Sequence, residues 1–220
     1  MSNERIIELR MIISNRMIEL LNTEGFELSI RELTGIHEYL FRDIYFNNGG
    51  FRKFNISREE DILYDDSLDY PDFHVIPISL RFAINDELKV DYSKLSEEEK
   101  IKNIAAFSAK IWHVHPFNDG NTRTTSIFIQ KYLKKLGYTV DNDIFKENAL
   151  YYRTALVKAN YQNVNYDIKP DLNPLIKFYQ KVLLDNTIEL DFNDLYIDGL
   201  YLKKEASKKK KRIKRNSTKK

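Results

Sequence analysis

The chain has 220 residues, 42% of them hydrophobic and 31% charged, with a net charge of +2 and a mean hydropathy of -0.52, which suits a single water-soluble domain with one core. No run approaches the roughly 20 apolar residues of a bilayer span, and the N-terminal MSNERIIELR lacks the apolar block of a signal peptide; no membrane contact is expected, and a cytoplasmic location is. The absence of cysteine excludes a disulfide scaffold, a thiolate zinc site and a cysteine nucleophile; with 33 acids and only four histidines, any metal is expected to be a hard cation held by oxygen.

From Glu4 to Leu21, the residues Ile6, Leu9, Ile13, Met17 and Leu20 recur at spacings of three and four, which predicts a helix stopped by Gly25. A second helix is predicted from Ser29, in capping-box spacing with Glu32, to Phe46, before a loop at Asn47 to Gly50. In FRKFNISREEDILYDD, Phe54 and Ile56 are separated from Ile62 and Leu63 by a charged centre, the pattern of a small β-hairpin. Pro71 and Pro77 bracket an irregular connection to a helix over Ile78 to Ile84. Ser96 followed by Glu97, Glu98 and Glu99 marks the start of a helix whose apolar set, Ile101, Ile104, Ala105, Ile111 and Trp112, predicts a central, buried position; it must end near Pro116. Further helices are expected over Asn121 to Leu136, Ile144 to Asn160 and Leu172 to Asn186. The domain is placed at residues 1 to 202, with no internal repeat.

Residues 203 to 220 carry eleven Lys or Arg against one Glu, leaving 24 basic and 32 acidic residues in the body. The body is therefore a poor nucleic-acid binder. The tail, with Ile213 its one apolar residue beyond Ala206, is expected to be disordered. It would attract nucleic acid or an acidic partner, or serve only to solubilise.

Chemistry concentrates in His115, Pro116, Phe117, Asn118, Asp119, Gly120, Asn121, Thr122 and Arg123, a loop leading into a helix. Unpaired N–H groups at a helix start make an anion cradle at Gly120, Asn121 and Thr122, and Gly120 lets the backbone approach a ligand. Arg123 adds a forked cation. Asp119 would repel phosphate unless Mg²⁺ lay between them, and His115 suits general base work near neutrality. Satisfied packing is the simpler reading for His37 and His74, and for most of the aromatic residues.

The loop resembles the signature H-x-F-x-[D/E]-G-N-G-R-x-x-R of the Fic family. Upstream, Ile36 to Tyr45 and Gly50 to Ser57 resemble the family's helix and flap; downstream, Tyr152-Arg-Thr-Ala155-Leu156 resembles its nucleotide-side helix. The similarity covers approximately residues 30 to 180. It implies an all-α domain with a β-hairpin flap that binds ATP and Mg²⁺ and moves AMP onto a Ser, Thr or Tyr hydroxyl of a target protein. His115 would take the hydroxyl proton, Phe117 anchor the loop, and Asp119 hold the metal. Asn121 and the amides from Gly120 to Arg123, Thr122 included, would hold phosphates. Tyr151 and Tyr152 are adenine-pocket candidates, and Phe54, Ile56 and Ile62 on the flap would dock the target.

Two positions depart from the pattern: Thr122 replaces its second glycine and Ser126 its final arginine. The second change leaves open another donor (another nucleotide, phosphocholine or a phosphate), and the two together leave open a degenerate nucleotide-binding module. No convincing inhibitory [S/T]-x-x-x-E-[G/N] segment is present, since Asn15 to Glu19 has the spacing but ends in Leu20; restraint would come from a separate antitoxin-like chain. A cytosolic toxin and an effector delivered into another cell would look alike.

Overall fold

A computed structural model of the protein describes residues 3–44, 49–64, 66–197, 199–206 and 209. The expected all-α domain is what forms. Helices α1 (Asn3–Asn22) and α2 (Ile30–Phe41) come first, then a hairpin of β1 (Ser57–Glu59) and β2 (Ser67–Asp69). They are followed by α3 (Ile76–Glu87), α4 (Glu97–Val114), α5 (Asn121–Lys135), α6 (Asn142–Glu147), α7 (Ala149–Asn160) and α8 (Asn173–Leu183). Helix α4 is central, packing against α3, α5, α7 and α8. Its Ile101, Ile104, Ala105, Ile111 and Trp112 are all buried, as its periodicity requires. It starts at the expected capping box: Glu99 N–H donates to the Ser96 hydroxyl (3.3 Å) and Ser96 N–H donates back to the Glu99 carboxylate (2.8 Å). No described helix is long and apolar enough to cross a membrane.

Helix α5 is buried on nearly all sides, from Thr124 to Leu133, because α1 and α2 cover one side and α4 the other. The polar residues this encloses find partners. Lys131 donates to the carbonyls of Leu20 and Thr23 (both 3.1 Å), and Lys134 to that of Leu21 (2.8 Å). These cations cap the C-terminal end of α1, which has no basic residue in its own last turn.

Four expectations need revision. Helix α2 ends at Phe41, five residues early, because Arg42 turns extended (ψ 131°) and Asp43 takes φ 63°; residues 47 and 48 of the expected loop lie outside the described residues. The partner of β1 is β2, with Arg58 opposite Leu68, whereas Asp61–Leu63 winds into a 3₁₀ turn that drives Leu63 into the core. The helix expected over 144 to 160 is two, broken at Asn148, whose φ of -107° and ψ of 23° are not helical and whose amide caps the Ile144 carbonyl at 2.8 Å. The fold also runs past 202. Residues 200–206 are helical, Leu200 is buried, Lys203 donates to the Tyr166 carbonyl (2.6 Å), and Lys204 donates to those of Leu63 (2.9 Å) and Tyr64 (2.6 Å). Of the basic tail, residues 207 and 208 and 210 to 220 lie outside the described residues.

Candidate active site

Helix α4 ends at Val114, two residues before Pro116, and His115 between them takes a left-handed conformation (φ 47°, ψ 58°). Such a backbone is uncommon for a residue with a Cβ and persists only when its surroundings hold it. Here Arg52 does so. Its Nε donates to the His115 carbonyl (2.8 Å), while its two terminal nitrogens donate to the carbonyls of Phe54 (2.8 Å) and Pro71 (2.5 Å). Arg52 is buried, and desolvation lowers its pKa.

The loop beyond is closed on itself. Asn121 receives the Phe117 N–H on Oδ1 (2.9 Å) and donates Nδ2 to the Phe117 carbonyl (2.8 Å). Its carboxamide thus holds the loop closed with its oxygen and one of its two N–H groups. Phe117 is buried, as expected of an anchor, and stacks on His37 with centroids 3.8 Å apart. His37, on α2, accepts the Gly49 N–H at Nδ1 (2.8 Å), so its Nε2–H donates to the Asp119 carbonyl (3.1 Å). Desolvation pushes its pKa down to about 4. Simple packing understates this residue, because it ties α2 to the loop.

Gly120 opens α5 at φ 78°, and a Cβ there would lie 2.3 Å from the Phe41 ring. Contact with Phe41, more than approach of a ligand, demands glycine. The Gly120 N–H is taken by Asp119 Oδ1 (2.7 Å), so the amides of Asn121, Thr122 and Arg123 are the ones that the helix start leaves without an intrahelical acceptor. Thr122 keeps its amide, and its hydroxyl accepts the Trp112 indole N–H (2.9 Å). The added side chain therefore locks the first turn of α5 to the last turn of α4.

His115 is buried, stacked on Tyr70 at 3.8 Å between centroids and edge-on to Trp112 at 5.4 Å. Its Nδ1 has no hydrogen-bond partner. Desolvation first, then the positive charges of Arg58, Arg52 and Arg153, depress its pKa to about 3, so the ring is neutral across the physiological range. A buried, unpartnered nitrogen costs stability unless it serves a purpose.

His115, Asp119, Gly120, Asn121, Thr122 and Arg123 line one small cavity of about 60 Å³ together with Arg58 and Arg153. Those two arginines escaped the sequence reading, since neither belongs to the loop. Arg58, on β1, donates to the Asn118 carbonyl (3.0 Å); Arg153, on α7, donates to Glu60 just beyond β1 (2.8 Å); Arg123 lies over the Phe41 ring at 4.8 Å. An apolar cavity of about 350 Å³ adjoins through Thr122 and Arg123; Ser126, Met17, Ile18, Phe145 and Tyr152 are among its walls. Tyr152 thus borders a cavity, although its hydroxyl is held within the core against Ser108 (2.9 Å). Tyr151 is buried and packs edge-on to Phe192 at 5.9 Å, away from both cavities. Of the flap residues, Phe54 is exposed, Ile56 is half-buried just before β1, and Ile62 sits half-buried in the 3₁₀ turn. No group of three or more His, Asp or Glu that could hold a metal exists among the described residues.

This is a helical domain in which a helix start, three arginines and a neutral imidazole line one cavity. Residues 27–133 match the family model described as Fic/DOC. The fold is that of solved Fic domains. The N-terminal Fic domain of a VirB-translocated effector from Bartonella sp. AR 15-3 superposes with a TM-score of 0.69 at 14% identity, covering 88% of each chain. The BepC effector of Bartonella tribocorum with bound AMPPNP gives 0.65 at 17%, covering 82% of this chain and 86% of that one. The N-terminal Fic domain of a putative cell filamentation protein of Bartonella quintana, with bound ADP, gives 0.65 at 18% over the same shares. Among curated proteins, the chain is 23% identical over 163 residues to the ribonucleoside-diphosphate reductase small chain of Ostreid herpesvirus 1. That match takes in 69% of this chain and only 27% of the longer protein.

Proposed function

We propose that this protein is an adenylyltransferase that moves AMP from ATP to a hydroxyl of a target protein. The observation that carries the reading is the buried, neutral His115, with an unpartnered nitrogen, in the same cavity as the α5 N-terminus and Arg58, Arg123 and Arg153. Phosphate oxygens would lie on the free amides of Asn121, Thr122 and Arg123, with the arginines offsetting their charge. The target oxygen attacks the α-phosphorus and its proton passes to His115; the bond to the bridging oxygen breaks, and pyrophosphate leaves with the electron pair. The relatives with AMPPNP and ADP support a nucleotide as the ligand. Asp119 is exposed at the cavity rim, and a single carboxylate completed by phosphate oxygens is a donor set that suits Mg²⁺. That ion would supply charge neutralisation on the donor.

A free imidazole pKa near 3 makes His115 a weak base. Burial, the larger cause, remains when the donor binds, but bound polyphosphate would offset the arginine field that adds to it, and to that extent the base strengthens as the donor arrives. The test is incubation with ATP and a cell lysate, followed by mass spectrometry for adenylate-mass adducts. His115→Ala should abolish the adducts while ATP binding survives. Adducts at the wild-type rate from the variant would refute the role of His115, and none from the wild type would refute the activity.

A second reading, a donor without a γ-phosphate, is favoured by one observation. Ser126, where the family signature has arginine, brings no charge and accepts the Gln130 amide (3.2 Å). Equal affinity for ATP, ADP and AMP would favour this reading over the first.

A further inference from the structure

The arginines around the cavity are held in unlike ways. Arg58 is pinned to a backbone carbonyl and Arg123 lies on an aromatic face, but Arg153 is ion-paired with Glu60 through Nη2 at 2.8 Å and Nε at 3.4 Å. Arg58 on β1 and Glu60 just beyond it thus tie the flap to both sides of the cavity, one to the signature loop and the other to Arg153 of α7, which itself lines the cavity. The Glu60 side chain is 10% exposed, whereas that of Arg153 is 44% exposed. The acid is thus largely withdrawn from water onto a guanidinium that itself keeps a face open to solvent and to the cavity.

A carboxylate and a phosphate present the same pair of oxygens to an arginine fork. We propose that Arg153 is a phosphate-binding residue of the donor site and that Glu60 is the anion it carries until the donor displaces it. This rests on the reading that a polyphosphate donor enters the cavity. At about 60 Å³ the cavity is too small for a polyphosphate, and breaking the Glu60 to Arg153 link widens it on the flap side while freeing a third cation. The Glu60 carboxylate, 10% exposed, must regain water as it leaves Arg153, and the doubly charged phosphate has the stronger attraction for the guanidinium with which to displace it. Flap opening and donor binding are thereby one event.

Opposite signs from the two partners are the signature. Binding of inorganic pyrophosphate and of ATP to the full chain is measured by calorimetry for the wild type, Arg153→Ala and Glu60→Gln, with thermal melts to confirm folding. Arg153→Ala should weaken both ligands by at least about tenfold, the scale of one charge-assisted contact. Glu60→Gln, which keeps the shape and removes the competing charge, should tighten both several-fold. If both variants weaken binding alike, the pair is a structural strap of the flap and the proposal falls; it falls equally if the wild type binds neither ligand or if Arg153→Ala binds as the wild type does. Adenylate adducts are scored in parallel, so the two readings fail separately. Arg153-dependent pyrophosphate binding without any adduct sinks the adenylyltransferase and leaves the clamp standing. Adducts with binding indifferent to Arg153 do the reverse.

Discussion

Two residues of the signature loop, Gly120 and Asn121, fix its path through their surroundings in the chain. Gly120 combines φ 78° with a Phe41 ring 2.3 Å from where a Cβ would sit. Gly120→Ala therefore meets both left-handed strain and overpacking and should lower stability by at least about 2 kcal/mol, read as a fall in the urea midpoint. Asn121→Ala leaves the buried N–H and carbonyl of Phe117 unpaired, each worth about 1 to 3 kcal/mol. It should therefore destabilise the loop and lower transfer; melting curves alongside adduct yield would check both. The cluster from His115 to Arg123 was legible because it is contiguous and its residue types are chemically specific. What each residue does was less so: the carboxamide of Asn121 and the hydroxyl of Thr122 could reach a ligand or the chain itself, and only the three-dimensional path of the loop decides. Arg153 and Glu60 lie 93 positions apart, and nothing in either local pattern signals the other.

At the scale of elements, the long amphipathic helices were readable from their periodicity and caps, and the errors fall where a few residues reverse the chain. Helix α6 and helix α7 read as one because the apolar spacing continues through Asn148; the break is made by its backbone and its cap to Ile144. Strand β2, Ser67-Leu68-Asp69, has one apolar residue and no alternation to announce it. It exists because β1 lies beside it and Leu68 is buried beneath. What binds this hairpin to the helices is Arg52, whose guanidinium gathers the carbonyls at the end of α4, at the base of the flap and at Pro71 before α3. Lysine has one ammonium on a flexible stem and cannot span three separate segments. Arg52→Lys should forfeit two charge-assisted bonds, about 3 kcal/mol or more. Because His115 owes its left-handed backbone to one of those bonds, activity should fall further than stability alone explains. Measuring adduct formation well below the melting temperature separates the two effects.

In the molecule as a whole, two buried histidines that are neutral in the resting fold set how stability responds to pH. His37 and His115 are both buried, one joining α2 to the signature loop and the other closing α4, with pKa values driven by desolvation from 6.5 to about 4 and about 3. In the unfolded chain each would bind a proton near pH 6.5 that the folded protein refuses. Stability is therefore at its full value above that pH and declines as pH falls toward 4 and then 3, since the unfolded state binds the extra protons. Each pH unit inside that window removes on the order of 1.4 kcal/mol for each histidine. Burial also raises the pKa of Glu87, which lies between Tyr92 and Tyr132, and of Glu32 near Lys131. These two act in the opposite sense: their stabilisation is present only at low pH and is lost as pH rises through their folded pKa values, so they oppose the histidines at the acid end of the window. Because the unfolded chain takes up the histidine protons from about pH 6.5 downward, the urea midpoint should fall between pH 6.5 and pH 5. His37→Asn, which gives up the aromatic stack, should lower the midpoint at pH 7 but flatten its decline toward pH 5. A decline as steep in the variant as in the wild type would show that the acid sensitivity lies outside the contact between α2 and the signature loop.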